Sequence, residues 1–383
     1  MTSQAGNVNT IKNGNRSLIF RYIRKAPISR AEISKQSGMS KSAVTMITNA
    51  LIEEGQLCEI GQSDSACGRK PILLDIVADY RYAGGIALHR KQTGVYITDL
   101  KSNIVAFCSI RTERFDTPIQ VLDWACNMLL KLAEEKQIPR EKLIGVGISA
   151  PGPVDYKEGV ILTPPNFEMF HHIPVAEYVE KKLGLPVMVD NNAVLLAMQE
   201  YILLTKQSLN AMVIIVSDGI GSAIITRGKV YRGHSGYAGE IGHTSIDLEG
   251  IPCECGNQGC LEQYVSMKAL KARFEFDSYE RLVDNAYIGD RTSLEVIDFI
   301  AKCLSAAMVN AINFFDLDRV ILCGDFAYRN ELLLQKIRQR VGGMSIIGRV
   351  HEVEVAFSTL PPEKSNASVT AAILGAYFNH MLD

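Results

Sequence analysis

The chain opens on a helical period. Leu18, Ile19, Tyr22 and Ile23 recur at i, i+1, i+4 and i+5, which predicts one apolar stripe on a helix over residues 15–26. Pro27 ends it, because a proline removes a helical donor and clashes with the preceding turn. Ser29, followed three residues on by Glu32, reads as a capping box that opens a short second helix from Arg30 to Gln36. Gly38 supplies a turn. Ser40 caps a third helix running to about Glu54, with Val44, Ile47 and Leu51 facing inward and Gly55 as its stop. Three helices with a tight glycine turn before the last predict a helix-turn-helix. LCEIGQ and KPILLDI then alternate as two strands joined by SDSACGR, the pattern of a wing.

From about residue 81 the pattern changes. YAGGIAL, GVYITDL and NIVAFCSI predict strands, and a helix follows near 118–136. LIGVGISAPGPVD reads as strand and turn, 174–183 as helix, PVMVDNNA as strand, 193–204 as helix, and AMVIIVSDGIGSAIITRGKVYRG as a hairpin. Later come a helix near 292–315, strand RVILCGD, a helix near 328–341, strand EVEVAFS and a last helix over 366–382. Alternating strands and helices predict an α/β body. Some 300 residues exceed a single core, so two lobes with a cleft are expected. The domains are placed at 1–80, 81–192 and 193–383, with the C-terminal helix able to return to the first lobe. No short-period repeat stands out.

Composition narrows the class. The 383 residues are 47% hydrophobic and 21% charged, which excludes wholesale disorder and a small disulfide scaffold. The purely apolar run Ala211 to Val216, which no other run exceeds in length, suits one buried strand and falls far short of a membrane span, and the N-terminus carries no apolar signal core. A cytoplasmic protein with no membrane insertion is expected. The net charge of −2 hides an asymmetry: residues 1–50 hold eight basic side chains and one acid, Glu32. A basic head on an acidic body points to an anionic partner, with double-stranded DNA first among the candidates. Ser40, Lys41, Ser42 and Thr45 open the third helix and are placed to meet base edges in the major groove, while Arg69 and Lys70 of the wing are placed for phosphates. The alternative is a solvated three-helix scaffold used for contacts within the protein.

The sharpest chemical signal is His243-x9-Cys253-x-Cys255-x4-Cys260. One imidazole and three thiols suffice to close a tetrahedral zinc site, with no position left for catalytic water, so one structural zinc per chain is expected. The alternative is three reduced cysteines packed in a loop. The other six cysteines (Cys58, Cys67, Cys108, Cys126, Cys303 and Cys323) are scattered and read as inert.

These residues carry a resemblance. GEIGHTSIDLEGIPCECGNQGCLE resembles the signature of the ROK family of repressors, open reading frames and sugar kinases, and SAPGPVD, TPPNF and VDNNA follow that family's order. The helix-turn-helix resembles that of its xylose-repressor and N-acetylglucosamine-repressor branch. The resemblance implies a two-lobed, actin-like ATPase (ribonuclease H-like) fold with a sugar in the cleft and zinc holding one wall. It implies sugar contacts from Asn166, Glu240, His243 and Glu262. Carboxylates suit the role because each accepts hydrogen bonds from neighbouring hydroxyls. Support of the zinc loop is the alternative for the two acids, and turn chemistry for Asn166.

The chain departs from the kinases of that family. Their Asp-x-Gly-x-Thr hairpin reads Ala87-Leu88-His89-Arg90 here, and their catalytic Asp is Asn192 in Asp190-Asn191-Asn192. A neutral amide is no general base. Asn191 and Asn192 remain candidates for hydrogen bonding to sugar, or for capping the helix that follows. Asp218 stands in the second phosphate turn, and Gly324-Asp325 replaces a Gly-Gly pair. The expected function is therefore a sugar-responsive regulator and not an enzyme: a repressor of carbohydrate genes, acting as a homodimer or tetramer on a palindromic operator and modulated by a monosaccharide or sugar phosphate. A sugar kinase with an appended DNA-binding domain and a regulator controlled by a protein partner are the alternatives.

Overall fold

The computed structural model describes residues 3–62, 71–203, 210–346 and 352–379. It opens with α1 (Ser3–Ile23), β1 (Ile28–Ser29), α2 (Arg30–Ser37), α3 (Lys41–Glu53), β2 (Leu57–Gln62) and β3 (Ile72–Ile76). The strands form an antiparallel sheet of order β1-β3-β2, which makes the head a winged helix-turn-helix. The capping residues act as the pattern predicts. Ser29 Oγ accepts from Glu32 N at 3.2 Å, Ser40 Oγ accepts from Ala43 N at 3.2 Å, and Gly38 takes φ 72°. Helix α1 starts well before residue 15, because residues 3–14 continue it without an apolar stripe to announce it. Arg69, Lys70 and Cys67 lie outside the described residues.

The body continues with β4 (Tyr82–Leu88), β5 (Gln92–Asp99), β6 (Ile104–Arg111), α4 (Pro118–Glu135), β7 (Leu143–Ala150), β8 (Val154–Asp155), β9 (Val160–Ile161), α5 (Val175–Leu183), β10 (Val187–Asn191) and α6 (Asn192–Leu203). Then come β11 (Ala211–Val216), β12 (Ile220–Thr226), β13 (Lys229–Val230), α7 (Glu262–Val265), α8 (Met267–Phe274), α9 (Tyr279–Tyr287), α10 (Arg291–Phe315), β14 (Arg319–Gly324), α11 (Glu331–Met344), β15 (Glu354–Phe357), α12 (Pro362–Asn366) and α13 (Ala371–Phe378).

Two five-stranded sheets result, of order β10-β7-β4-β5-β6 and β13-β12-β11-β14-β15. In each, three antiparallel strands lead into two parallel ones, the ribonuclease H-like wiring of an actin-like body. The repeat is one of topology, invisible to a search for short sequence periods. The chain divides into two compact units, residues 1–205 with 361–383, and residues 206–360. The division falls after α6 and not at 192/193, because α6 packs on α13 and on the 3-10 turn Ala367–Thr370. The expected single helix over 366–382 is broken there. Thr370, the last residue of that 3-10 turn, bonds Ala367 O through its hydroxyl at 2.9 Å and shares a buried hydroxyl contact of 2.9 Å with Thr98 of β5.

Within the first unit, one apolar core runs from the head into the lobe. Ile19, Phe20 and Ile23 of α1, Val44 and Leu51 of α3, and Leu57 and Leu74 of the wing strands pack with Ala83, Leu100, Ile144, Ile373, Leu374 and Phe378. The Phe20 and Phe378 rings stand 5.1 Å apart, and the Arg24 guanidinium lies 4.3 Å over Phe378. Burial pushes Arg24 down to about 10, still charged at neutral pH. At the other end of the seam, Arg21 donates to the Tyr201 hydroxyl of α6 at 3.3 Å. Truncating Phe20 to Ala should cost about 3–5 kcal/mol. The single tryptophan, Trp124, sits in α4 beside the lobe core and reports on the lobe alone. We therefore expect Phe20→Ala to lower the urea midpoint read by Trp124 fluorescence. An unshifted Trp124 curve accompanied by loss of head structure would contradict the shared core.

Candidate functional site

The metal-type residues converge. One ligand atom from each of His243, Cys253, Cys255 and Cys260 lies within 4.8 Å of all the others. Cys253 Sγ stands 3.7 Å from His243 Nδ1, and Cys255 Sγ stands 3.7 Å from Cys260 Sγ. Local turns bring them together. His243 ends the 3-10 turn Ile241–His243, and Gly256 N donates to Cys253 O at 3.0 Å to fold the loop back. Bridges pair Pro252 with Gln258 and Ser245 with Cys260. Gly259 is required here: it takes φ 72°, and a Cβ would fall 1.7 Å from Asp247 O.

Asn257 and Gln263, which carry no metal-ligand signature in the sequence, donate to the sulfurs of Cys260 (3.4 Å) and Cys253 (3.5 Å). Burial pushes the Cys253 thiol up, but donors from Cys255, His243 and Gln263 outweigh it and bring it down to about 7. Burial and the neighbouring sulfurs push Cys260 up to about 12.

Two carboxylates flank this loop in the same unit. Glu240 precedes the His243 turn, and Glu262 opens α7 two residues after Cys260. Glu262 Oε2 accepts from Ile220 N at 2.8 Å, which fixes one oxygen and leaves Oε1 as the atom to offer a ligand. Glu240 is an exposed residue whose pKa is nonetheless raised. Burial is the main cause, opposed by His243 and reinforced by the charge of Glu262. Glu240 therefore feels both His243 and Glu262.

In the first unit, Asn191 and Asn192 meet the start of α6. The single Ala193 N–H is shared between the two Oδ1 atoms, at 2.7 Å for Asn191 and 2.9 Å for Asn192, so Asn191 caps α6 and Asn192 bonds its own chain neighbour. What each can offer a ligand is its Nδ2 amine. Asn166 sits exposed at φ 55° between β9 and the stacked pair Phe167 and Phe170, whose rings are 4.6 Å apart. Arg90 Nε donates to Pro165 O at 2.8 Å, tying the β4–β5 turn to the Asn166 loop. Nothing in the local sequence marks Arg90 for that role.

On the head, the exposed face of α3 carries Lys41, Ser42, Thr45, Met46 and Asn49. Ser40 is spent largely as the cap, with its Oγ also 3.1 Å from Ser42 Oγ, and Thr45 Oγ1 donates to Lys41 O at 2.8 Å. Arg30 donates to Thr48 Oγ1 at 3.0 Å, Asn49 Oδ1 at 3.0 Å and Glu59 Oε1 at 2.8 Å, locking α2, α3 and the wing together.

The comparisons agree with this architecture. The model of the ROK family matches residues 83–377. The chain is 29% identical over 380 residues to the xylose repressor of Bacillus spizizenii, covering 97% of each. It is 28% identical over 366 residues to the DNA-binding transcriptional dual regulator NagC of Escherichia coli, covering 90% of this chain and 88% of that one. The crystal structure of a ROK family transcriptional regulator, a homologue of the E. coli MLC protein, superposes with a TM-score of 0.77 at 24% identity, covering 97% of this chain and 98% of that one. A matching model over most of the body and full-length relatives at this identity place the chain in the ROK family.

Proposed function

We propose that the chain is a sugar-responsive transcriptional repressor of carbohydrate genes, working in the cytoplasm as a homodimer or tetramer on operator DNA. The observation that carries this reading is a winged helix-turn-helix whose α3 face is exposed and whose core is continuous with a ROK body. The similarity to proteins named xylose repressor and NagC supports it. So does the basic head, with Lys41 on the α3 face and Arg69 and Lys70 assigned to phosphates. Among the described residues no helix is long and apolar enough to cross a membrane.

The metal assigned to the loop is zinc. With Zn–S bonds near 2.3 Å, a tetrahedron has edges of about 3.8 Å, and the 3.7 Å between Cys255 and Cys260 sulfurs fits. Four protein donors fill the tetrahedron, so the ion holds the loop and leaves no place for a reacting water. Glu240 and Glu262 each lie within three residues of a ligand, and His243 is itself one, so the loop fixes the trio proposed to read sugar hydroxyls. Asn166, Asn191 and Asn192 offer further amides on the first unit.

Turnover is not expected. Asn192 is a neutral amide whose Oδ1 accepts from Ala193 N at 2.9 Å. Around the turn after β11, Asp325 has a raised pKa, first from burial and also from Asp218 and Glu280, against the Ser217 hydroxyl and Lys271. An acidic surround of that kind repels nucleotide phosphates.

Three measurements test the reading. Metal analysis should find about one zinc per chain, and a strong chelator should lower the melting temperature; metal-free protein of unchanged stability would remove the zinc assignment. A coupled assay with ATP and a monosaccharide panel should give no turnover above blank, and a saturable rate would revive a kinase.

Finally, full-length protein should enrich a palindromic duplex from a random pool, with an affinity in the range of 10⁻⁸–10⁻¹¹ M. A sugar or sugar phosphate should then weaken that binding at least about tenfold, a coupling of roughly 1.4 kcal/mol. Glu240→Gln should abolish the sugar effect and leave operator affinity unchanged. Sugar binding with no change in operator affinity would refute the regulatory link.

A further inference from the structure

The exposed stripe of α3 is unusual in its chemistry. Val44, Ile47, Thr48 and Leu51 are buried, and Ser42, Thr45, Met46 and Asn49 follow the complementary i, i+3, i+4, i+7 spacing on the open face. The polar members of that stripe are engaged inside the head. Thr45 Oγ1 is turned back to Lys41 O, Ser42 Oγ lies beside Ser40 Oγ, and Asn49 Oδ1 accepts from Arg30. An asparagine reads adenine through its carbonyl and amine together, so Asn49 is half committed already. In the middle of the stripe stands Met46, an unbranched apolar side chain 68% exposed. A single exposed apolar residue is ordinary on a protein surface. Here it occupies the centre of the face that the proposed function turns toward the major groove. Arg30 of α2 ties the Thr48 and Asn49 side chains of α3 to Glu59 of the wing.

The major groove offers one apolar group to such a side chain, the 5-methyl of thymine. We propose that Met46 is a specificity-determining residue that packs on a thymine methyl in each operator half-site. The proposal rests on the DNA-binding reading above and adds the group that is read.

The test uses the duplex that wild-type full-length protein enriches from a random pool. Each thymine of one half-site is replaced singly by deoxyuridine, which removes the methyl and keeps every hydrogen-bonding group. Wild-type protein should lose about fourfold in affinity at one thymine, the value of one buried methylene, and little elsewhere. Met46→Ala, which keeps a strong helix former at an exposed position, should bind more weakly and show no further loss at that thymine. Met46→Leu should retain the penalty. Wild-type indifference to deoxyuridine at every thymine would overturn the proposal, as would equal penalties at the same thymine in wild type and Met46→Ala. A pool with no enriched duplex would remove the DNA-binding reading and this inference with it. An enriched duplex without a methyl effect removes the inference alone.

Discussion

The seam between α1 and α13 is the contact on which the head depends. A winged helix-turn-helix of about 80 residues buries little apolar surface alone. Here its first helix is closed by residues from the far end of the chain: Ile373, Leu374 and Phe378 complete the packing around Ile19, Phe20 and Ile23. The same α13 follows a 3-10 turn seated on the first sheet, where Val369 O approaches Gly147 so closely that a Cβ would come within 2.1 Å. Only glycine on β7 admits that approach. The head is thus fastened to the sheet through a short rigid element, and Arg24 over Phe378 keeps a cation in the seam without breaking its packing.

A second constraint organises the other unit. Loop residues are poor holders of precise geometry, because few contacts fix them. Residues 240–262 solve this with a knot of donors: three thiols and an imidazole converge, Asn257 and Gln263 orient the sulfurs, and Glu262 is tied back to Ile220 N. Burial first, and the charge of Glu262 after it, raise the Glu240 carboxyl. On the proposed reading, hydroxyl donors from a sugar are natural partners for the two acids.

The legibility of the sequence tracked the range of the interactions. Caps and turns at Ser29, Gly38 and Ser40 were readable because their partners lie within a few residues. The convergence of His243, Cys253, Cys255 and Cys260 was readable because spacing and residue type together restrict the chemistry. The topological repeat was not, because two stretches can share a wiring while sharing no period. The assignment of α6 to the first unit and the break at Ala367–Thr370 depend on partners more than 150 residues away, among them Thr98 and α13. Arg90 on Pro165 O and Arg30 across α2, α3 and the wing likewise carry no local signature. The length of α1 escaped for the opposite reason: its first turns need no apolar stripe to stay helical.

The proposed regulation asks little energy of this framework. A tenfold change in operator affinity corresponds to roughly 1.4 kcal/mol, less than the cost of losing one buried phenylalanine from the seam. On the proposed reading the first unit offers a chain of contacts for it: Asn191 and Asn192 share the Ala193 N–H at the start of α6, α6 packs on α13, and Tyr201 near its end accepts a hydrogen bond from Arg21 of the head helix. On the proposed reading, a ligand engaging the two asparagine amines draws on groups that also hold the helix N-terminus, so its binding energy differs with the position of α6. A catalytic aspartate at 192 would serve chemistry there. An asparagine retains the hydrogen-bonding capacity and gives up the base, and on the proposed reading α6 then serves to couple ligand to head.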